Sequence, residues 1–142
     1  MPKLPNDGMT ALDAVDLELI EAARAVMRKH HRPFWHTVAA AIRGEDGRIW
    51  TGLHLGTTVG RLSICAEPIA LGRAILEGDG TIGTVVAVRH PKPEEDDQSI
   101  AIVSPCGACR ELILDYAPGA RVIIPGPTVV SARSLLPAPY RR

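Results

Sequence analysis

The stretch SPCGACRE, residues 104–111, places two cysteines three positions apart and runs directly into LILDYA, residues 112–117, which has a helical pattern. Cys106 and Cys109 therefore lie on one face at the start of a predicted helix, where both sulfur atoms can reach one point. The N–H groups and the partial positive charge of a helix start stabilise a thiolate over a thiol. The stretch fits a redox pair, a structural zinc site or a catalytic metal site.

A third cysteine, Cys65, opens another predicted helix, CAEPIALGRAILEGDG, residues 65–80. Ligands on two helices that pack side by side over one sheet can meet at a zinc ion, at about 2.3 Å per Zn–S bond. Three protein ligands leave the fourth tetrahedral position to water, which distinguishes a catalytic zinc from a structural one. We therefore expect Cys65, Cys106 and Cys109 to bind a zinc ion.

Glu67 follows Cys65 by two positions, in the tripeptide CAE. Zinc deaminases combine a His-or-Cys-x-Glu unit with a later Pro-Cys-x-x-Cys unit, and their glutamate transfers protons without binding the metal. CAE and PCGAC supply this pattern in the same order. The pattern predicts that Glu67 is catalytic, and the small Ala66 beside it allows the backbone to approach a substrate.

Helical patterns and apolar strands alternate along the chain. The predicted helices cover residues 10–31, 65–80 and 105–117, with a short closing helix in 131–142, and the predicted strands lie in 37–55 (two, joined at GEDG), 84–90, 99–104 and 121–126. This order predicts a single α/β domain over residues 1–142, a three-layer α/β/α sandwich with a mixed five-stranded sheet. Thr10 and Asp13 are expected to cap the first helix.

Composition narrows the range of partners. The 142 residues are 46% apolar, and 16 basic residues balance 16 acidic ones, so no net charge favours binding to a long nucleic acid. No apolar run is long enough to span a membrane, and the start MPKLPNDGMT lacks the apolar centre of a signal peptide. Three cysteines, an odd number, argue against a disulfide framework. We expect a cytoplasmic protein that binds a small molecule and neither nucleic acid nor membrane.

The chain resembles the cytidine deaminase family, and most of all its blasticidin S deaminase branch. The similarity runs from TVAAAI to LLPAPY and includes GRIWTG, SPCGACRE and LDYAPGARVII. The resemblance implies a five-stranded deaminase sheet, one zinc per subunit and a homo-oligomer, a tetramer or a dimer. It also implies hydrolytic release of ammonia from an aminated pyrimidine-type nucleoside or a related compound, such as cytidine or blasticidin S.

The chain departs from the family beside Glu67 and at the end of the second predicted strand, among other places. Pro68 follows Glu67 where relatives with three cysteines have an arginine that offsets the thiolate charge, so the helix ends, with Arg110 or Arg61, are expected to take over. His54 and Gly56 stand where cytidine deaminases grip ribose with Asn-x-Glu. Deamination of a free base or another aminated heterocycle (cytosine, guanine, an aminotriazine) therefore stays open.

Four residues are expected to contact the substrate: His36, His54, Ala66 and Ser104. For His36 the alternative is a histidine that only satisfies local polarity at a strand start. The other histidines, His30, His31 and His90, are expected to be structural or solvated. Phe34 and Trp35 are expected to fill the core or an interface, and Tyr140 is expected to pack in the fold.

Three other functions compete with catalysis on a small molecule. A structural zinc module with a histidine as fourth ligand leaves CAE unexplained. A redox pair needs no third upstream cysteine. Editing of bases within nucleic acid is disfavoured by the neutral charge and by an aromatic content of only 4%.

Overall fold

The computed structural model describes residues 10–142. Its helices and strands are α1 Ala14–His30, β1 Val38–Arg43, β2 Ile49–Leu53, α2 Ala66–Glu77, β3 Thr84–Arg89, β4 Ala101–Val103, α3 Gly107–Tyr116, β5 Arg121–Ile124 and β6 Thr128–Ser131. Two short 3₁₀ helices, Gly60–Leu62 and Ala132–Leu135, join them. No described helix combines the length and the apolar character that a membrane crossing requires.

The strands form one mixed sheet in the order β2-β1-β3-β5-β6. The β1/β2, β1/β3 and β5/β6 pairs are antiparallel, whereas β3 and β5 are parallel. The short strand β4 pairs with the carboxyl-terminal half of β3, Ala87 opposite Val103, while β5 pairs with its first residues, Thr84 opposite Arg121. The chain therefore leaves the end of β4 close to the middle of the sheet, and α3 begins there.

Alternate residues of the strands pack against helices on opposite faces. On one face, Leu19 and Met27 of α1 pack against Ala39, Val86 and Val88. On the other face, residues of α2 and α3 pack against the intervening strand residues; this group includes Ala66, Ala70, Ile113, Ala40, Val85, Ala87 and Val122. Strands buried on both faces are expected to be continuously apolar, as TVVAV of β3 is. The predicted three-layer α/β/α sandwich is confirmed.

Three details differ from the predictions. The sheet has six strands and not five, because the turn at 125–127 returns the chain as β6 alongside β5. The closing helix is a single 3₁₀ turn, Ala132–Leu135. Thr10 does not cap α1, since its backbone pairs with Val129 and the capping box is formed by Asp13 and Asp16.

Candidate active site

Two helices begin side by side on one face of the sheet and bring the cysteines together. Cys65 is the N-cap of α2, Cys106 is the N-cap of α3, and Cys109 lies in the first turn of α3. Their three sulfur atoms lie within 4.8 Å of one another, and Cys65 Sγ is 3.6 Å from Cys106 Sγ. A tetrahedral zinc with Zn–S bonds of about 2.3 Å needs sulfurs about 3.8 Å apart. The geometry and the donor set therefore fit zinc.

The surroundings of the three thiols differ. Burial, followed by the nearby Glu67, raises the pKa of the Cys109 thiol, and burial with the hydrogen bond to Cys106 raises the pKa of the Cys65 thiol. At Cys106 burial also acts to raise the pKa, but the backbone N–H of Cys109 and the two neighbouring thiols outweigh it and lower the pKa. Cys65 and Cys106 are exposed and Cys109 is buried. Cys106 is thus the thiol that ionises most readily before metal arrives.

Glu67 is the second residue of α2 and is only 5% exposed. The Cys109 thiol donates a hydrogen bond to Glu67 Oε2 over 3.3 Å. No basic group of the described residues 10–142 forms an ion pair with this carboxylate. The acid therefore lies beside the sulfur cluster, shielded from bulk solvent, without a cation that fixes its charge.

Gly52 of β2 determines how closely α2 approaches the sheet. A Cβ atom at Gly52 would lie 2.4 Å from Ala66 O and 2.4 Å from Ala70 N, both backbone atoms of α2. Real side chains do not make contacts this short, so only glycine allows α2 to pack directly on β2. Because Cys65 and Glu67 lie at the start of α2, this close approach sets their position relative to α3.

A small cavity of about 140 Å³, here called the inner cavity, opens beside the sulfur cluster. Its lining consists of Val38, His54, Cys65, Ala66, Glu67, Val103, Ser104 and Cys106. It therefore brings together three of the four expected substrate-contacting residues, His54, Ala66 and Ser104. His36, the fourth, is not part of this lining; instead its Nδ1 donates a hydrogen bond to the carbonyl oxygen of His54 over 2.8 Å.

A larger cavity of about 500 Å³, here called the outer cavity, adjoins the inner one at His54. Its walls are the turn after α1 and the segment after β3, and its lining is His31, Pro33, Phe34, Thr37, His54, Arg89, His90, Pro91, Lys92, Pro93 and Glu94. The rings of His31 and His90 stack there, with centroids 3.5 Å apart. The sequence predicts structural or solvated roles for both histidines and a core or interface role for Phe34, because no local pattern shows that two distant segments enclose a cavity.

The tight turn at residues 32–36 lies against Gly56. Phe34 adopts φ +69°, and its side chain is 61% exposed. Gly56 N–H donates to Trp35 O over 2.7 Å, and a Cβ atom at Gly56 would lie 2.3 Å from Phe34 O. The turn therefore occupies the space that any side chain at position 56 would need.

The Arg110 guanidinium forms its hydrogen bonds with carbonyl groups and not with the three thiols. It donates hydrogen bonds to Pro105 O over 2.9 Å and to Leu135 O over 3.0 Å, and so anchors the loop that precedes Cys106. Arg61 lies exposed in the first 3₁₀ helix. Tyr140 is 82% exposed and faces a surface cavity with Glu111 and Asp115 instead of packing in the core.

Comparison with known proteins agrees with this geometry. The family described as the cytidine and deoxycytidylate deaminase zinc-binding region matches residues 14–124. Blasticidin-S deaminase of Bacillus cereus is 45% identical over 130 residues, which is 89% of this chain and 93% of that protein. 

Two solved structures share the fold. The crystal structure of cytidine deaminase from Burkholderia pseudomallei superposes with a TM-score of 0.70 at 30% identity, covering 87% of this chain and 98% of that one. Cytidine deaminase from Mycobacterium leprae gives a TM-score of 0.73 at 27% identity, covering 88% and 99%. The chain therefore belongs to the cytidine and deoxycytidylate deaminase zinc-binding family, as a zinc-dependent deaminase that hydrolyses C–N bonds and carries one zinc per subunit.

Proposed function

We propose that Cys65, Cys106 and Cys109 hold the zinc and that Glu67 is the catalytic acid–base in the deamination of a cytosine-containing, nucleoside-like compound. One observation carries the proposal: Glu67 Oε2 lies 3.3 Å from the sulfur of Cys109 and faces the inner cavity together with Cys65 and Cys106. A structural zinc module has no need of a buried carboxylate at this position, because a closed site completes its coordination with protein ligands.

The chemistry requires a water molecule as nucleophile and a group that moves protons. When bound, zinc would supply Lewis acidity, which lowers the pKa of water from its bulk value towards about 7. Glu67 takes one proton from the attacking water and passes it to the ring nitrogen, then takes the second proton from the new hydroxyl group and passes it to the departing amine, which leaves as ammonia. The amino-bearing carbon ends as a carbonyl, and Glu67 returns to its starting state.

The helix starts offset the charge of three thiolates on one divalent ion. Cys65 and Cys106 are both N-caps, so their sulfurs lie at the positive ends of α2 and α3. Pro68 in the first turn of α2 costs no hydrogen bond, because the N–H it lacks has no partner within the helix. The Arg110 guanidinium is already bonded to two carbonyl groups. We therefore propose that the two helix starts, and not Arg110, offset the negative charge of the thiolates.

The size of the inner cavity supports a single ring as the reacting group. Its volume of about 140 Å³ lies well below the roughly 300–1,000 Å³ of pockets that enclose a whole drug-sized ligand. His54, Ala66 and Ser104 line it and are proposed to contact the ring. A cytosine nucleoside or blasticidin S is favoured because the 45% identical relative is a blasticidin-S deaminase. A free base is the alternative, since Gly56 offers no side chain to hold a sugar.

The proposal is tested by ammonia release from a panel of cytidine, 2′-deoxycytidine, blasticidin S, cytosine and guanine. We expect turnover of at least one cytosine-containing nucleoside-like compound by protein with one zinc per chain, and loss of turnover after chelation. Turnover of a free base alone would favour the alternative. No ammonia from any compound at full zinc content would overturn the proposal.

We further propose a homo-oligomer, a tetramer or a dimer, located in the cytoplasm. Apolar side chains are exposed on the loop that leads to Cys65, namely Leu55, Val59, Leu62 and Ile64, and a second subunit would cover them. A reducing compartment would keep the three thiols available for metal. The particle mass in solution, from light scattering, tests the assembly.

A further inference from the structure

His54 is the one residue that the linings of the inner and outer cavities share. A molecule whose ring occupies the inner cavity and whose remainder extends into the outer cavity must therefore pass its imidazole. The atoms that His54 offers at this junction decide which substrate groups are accepted there.

The hydrogen bonds of His54 determine which ring nitrogen carries the proton. The backbone N–H of Thr37 donates to His54 Nδ1 over 3.3 Å, and the Thr37 hydroxyl lies 3.3 Å from the same nitrogen. A backbone N–H can only donate, so Nδ1 must be the acceptor and carry no proton. The neutral imidazole therefore has its proton on Nε2, and the Nε2–H group points away from Thr37.

The main chain of His54 is held from both sides. Its N–H donates to Val38 O over 2.9 Å, and its carbonyl oxygen accepts a hydrogen bond from His36 Nδ1 over 2.8 Å. His36 is itself fixed, because its backbone pairs with Arg32 in the tight turn. The two histidines thus differ in role: His36 holds the backbone, and His54 presents its ring to the cavities.

The charge state of His54 agrees with this arrangement. Burial, and in second place the neighbouring His36, lowers the pKa of His54 below its ordinary value. No described residue between 10 and 142 forms a hydrogen bond with His54 Nε2. A ligand that accepts a hydrogen bond from this half-buried N–H group would bind more favourably than one that does not, because it satisfies a donor that is otherwise unpaired.

We propose that His54 is a specificity-determining residue, whose Nε2–H donates a hydrogen bond to an oxygen acceptor of the substrate where the ring joins its substituent, and that His36 is its positioning residue. The inference rests on the proposed function, because it concerns the same substrate. The acceptor is a ring carbonyl oxygen or an oxygen of the substituent beside the ring. A group that only donates, such as an amine, is disfavoured there because two donors would face each other.

The first experiment needs no turnover and so separates this inference from the proposed function. Ring ¹⁵N NMR of zinc-loaded protein reports the tautomer of each histidine, with His54→Gln used to assign the His54 signals. We expect His54 to carry its proton on Nε2, and we expect the Nε2 signal to move when a deaminated, uracil-type product is added. A proton on Nδ1, or an unmoved signal at saturating product, would overturn the inference even if the enzyme is active.

The second experiment replaces His54 and uses the best substrate of the panel. A glutamine amide lies near the Nε2 position, an asparagine amide lies near the Nδ1 position, and leucine offers no donor. We expect His54→Leu and His54→Asn to lower kcat/KM about 10- to 100-fold, chiefly through KM, and His54→Gln to stay within about threefold of wild type. If His54→Leu and His54→Gln lower kcat/KM equally, the Nε2–H group has no role in substrate binding.

The same kinetics test His36 and locate the acceptor. His36→Leu should raise KM. His36→Asn keeps a donor near the Nδ1 position, so its KM should stay close to the wild-type value, and the zinc content should be unchanged in both variants. The exposed His30→Leu serves as the control.

A defect of His54→Leu on free cytosine would identify the ring carbonyl, and a defect confined to nucleoside-like compounds would identify a substituent oxygen. A His54→Leu enzyme with wild-type kcat/KM on every turned-over compound would refute the inference.

Discussion

Asp16 and Glu67 are both buried acids, 1% and 5% exposed, yet their partners are opposite in kind. Asp16, on the α1 face of the sheet, accepts two hydrogen bonds from the Arg121 guanidinium, over 2.7 and 2.8 Å, and one from the backbone N–H of Asp13. Glu67, on the α2 face, accepts one hydrogen bond, from the thiol of Cys109 over 3.3 Å. One acid is fully paired with a cation, and the other borders a metal site and a cavity.

We propose that this difference separates a structural acid from a catalytic one. The hydrogen bonds from Arg121 outweigh burial and lower the pKa of Asp16, so its charge is fixed throughout the neutral range. A carboxylate held in this way cannot exchange protons with a substrate. Among residues 10–142 no cation pairs with Glu67, so its carboxylate is the one proposed to accept and return a proton in the deaminase reaction.

Replacing Glu67 by glutamine gives the largest expected effect, because it removes the proton-transfer group and keeps the side-chain shape. We expect kcat to fall about 10²- to 10⁴-fold, the range of general acid–base catalysis, while zinc content and thermal stability stay close to wild type. Ammonia release, metal analysis and thermal unfolding measure these quantities.

Glu77→Gln on the same helix is the matched control for this variant. Its side chain forms an exposed ion pair with Arg73, which contributes little to stability. Glu67→Gln with wild-type turnover would remove the distinction between the two buried acids. A large loss of zinc would instead make Glu67 part of the metal site.

The second prediction concerns Gly52→Ala, a substitution that should displace the helix carrying Glu67 without affecting Asp16. Gly52→Ala would place a Cβ atom 2.4 Å from two backbone atoms of α2, so α2 must shift away from β2. We expect a loss of about 3 kcal/mol in the free energy of unfolding, at the upper end of overpacking, and a lower zinc content because Cys65 moves relative to α3. Urea unfolding and metal analysis test this.

Gly72→Ala is the control for Gly52→Ala, because a Cβ atom at this exposed position of α2 meets open space. Alanine in a helix interior is favoured over glycine by up to about 1 kcal/mol, so this variant should be slightly more stable. A Gly52→Ala protein as stable and as zinc-rich as wild type would show that close packing of α2 on β2 does not set the site.

The sequence allowed the family, the three-layer fold and the CAE and PCGAC units to be recognised, because each unit is local. Cys106 and Cys109 are one helical turn apart, and Cys65 and Glu67 are two residues apart, so spacing alone places them at helix starts. In the structure, residues of both local units line one cavity.

Features that depend on distant segments could not be predicted. Asp16 and Arg121 are 105 positions apart, so in the sequence Asp16 is an ordinary acid in the first turn of a helix. The outer cavity forms only where the turn at residues 32–36 meets the segment after β3. β6 was missed because TVVS follows the turn residues PGP and is only four residues long, which gives too little periodicity to predict a strand.

The smallest expected effect concerns Asp16, whose replacement should change stability and not catalysis. Asp16→Asn removes the charge that pairs with Arg121, and we expect a loss of about 2 kcal/mol in the free energy of unfolding. This is less than the 3–5 kcal/mol of a fully buried pair, since the Arg121 side chain is 40% exposed and water can solvate it. Turnover per folded, zinc-loaded chain should stay within about twofold of wild type.

The pH dependence of the Asp16→Asn effect distinguishes a charge contribution from a packing one. Because the pKa of Asp16 in the folded protein lies below its ordinary value, the ion pair contributes fully above the unfolded pKa of about 3.9 and is lost as the pH falls through the folded pKa. The stability difference between wild type and Asp16→Asn should therefore be constant from pH 7 to about pH 5 and shrink below pH 4, as urea unfolding at each pH would measure. The exposed Asp96→Asn, with no ion pair among the described residues, should show no such difference. A difference that persists undiminished at pH 3, or a turnover defect comparable to that of Glu67→Gln, would mean that Asp16 is not the purely structural acid of the pair.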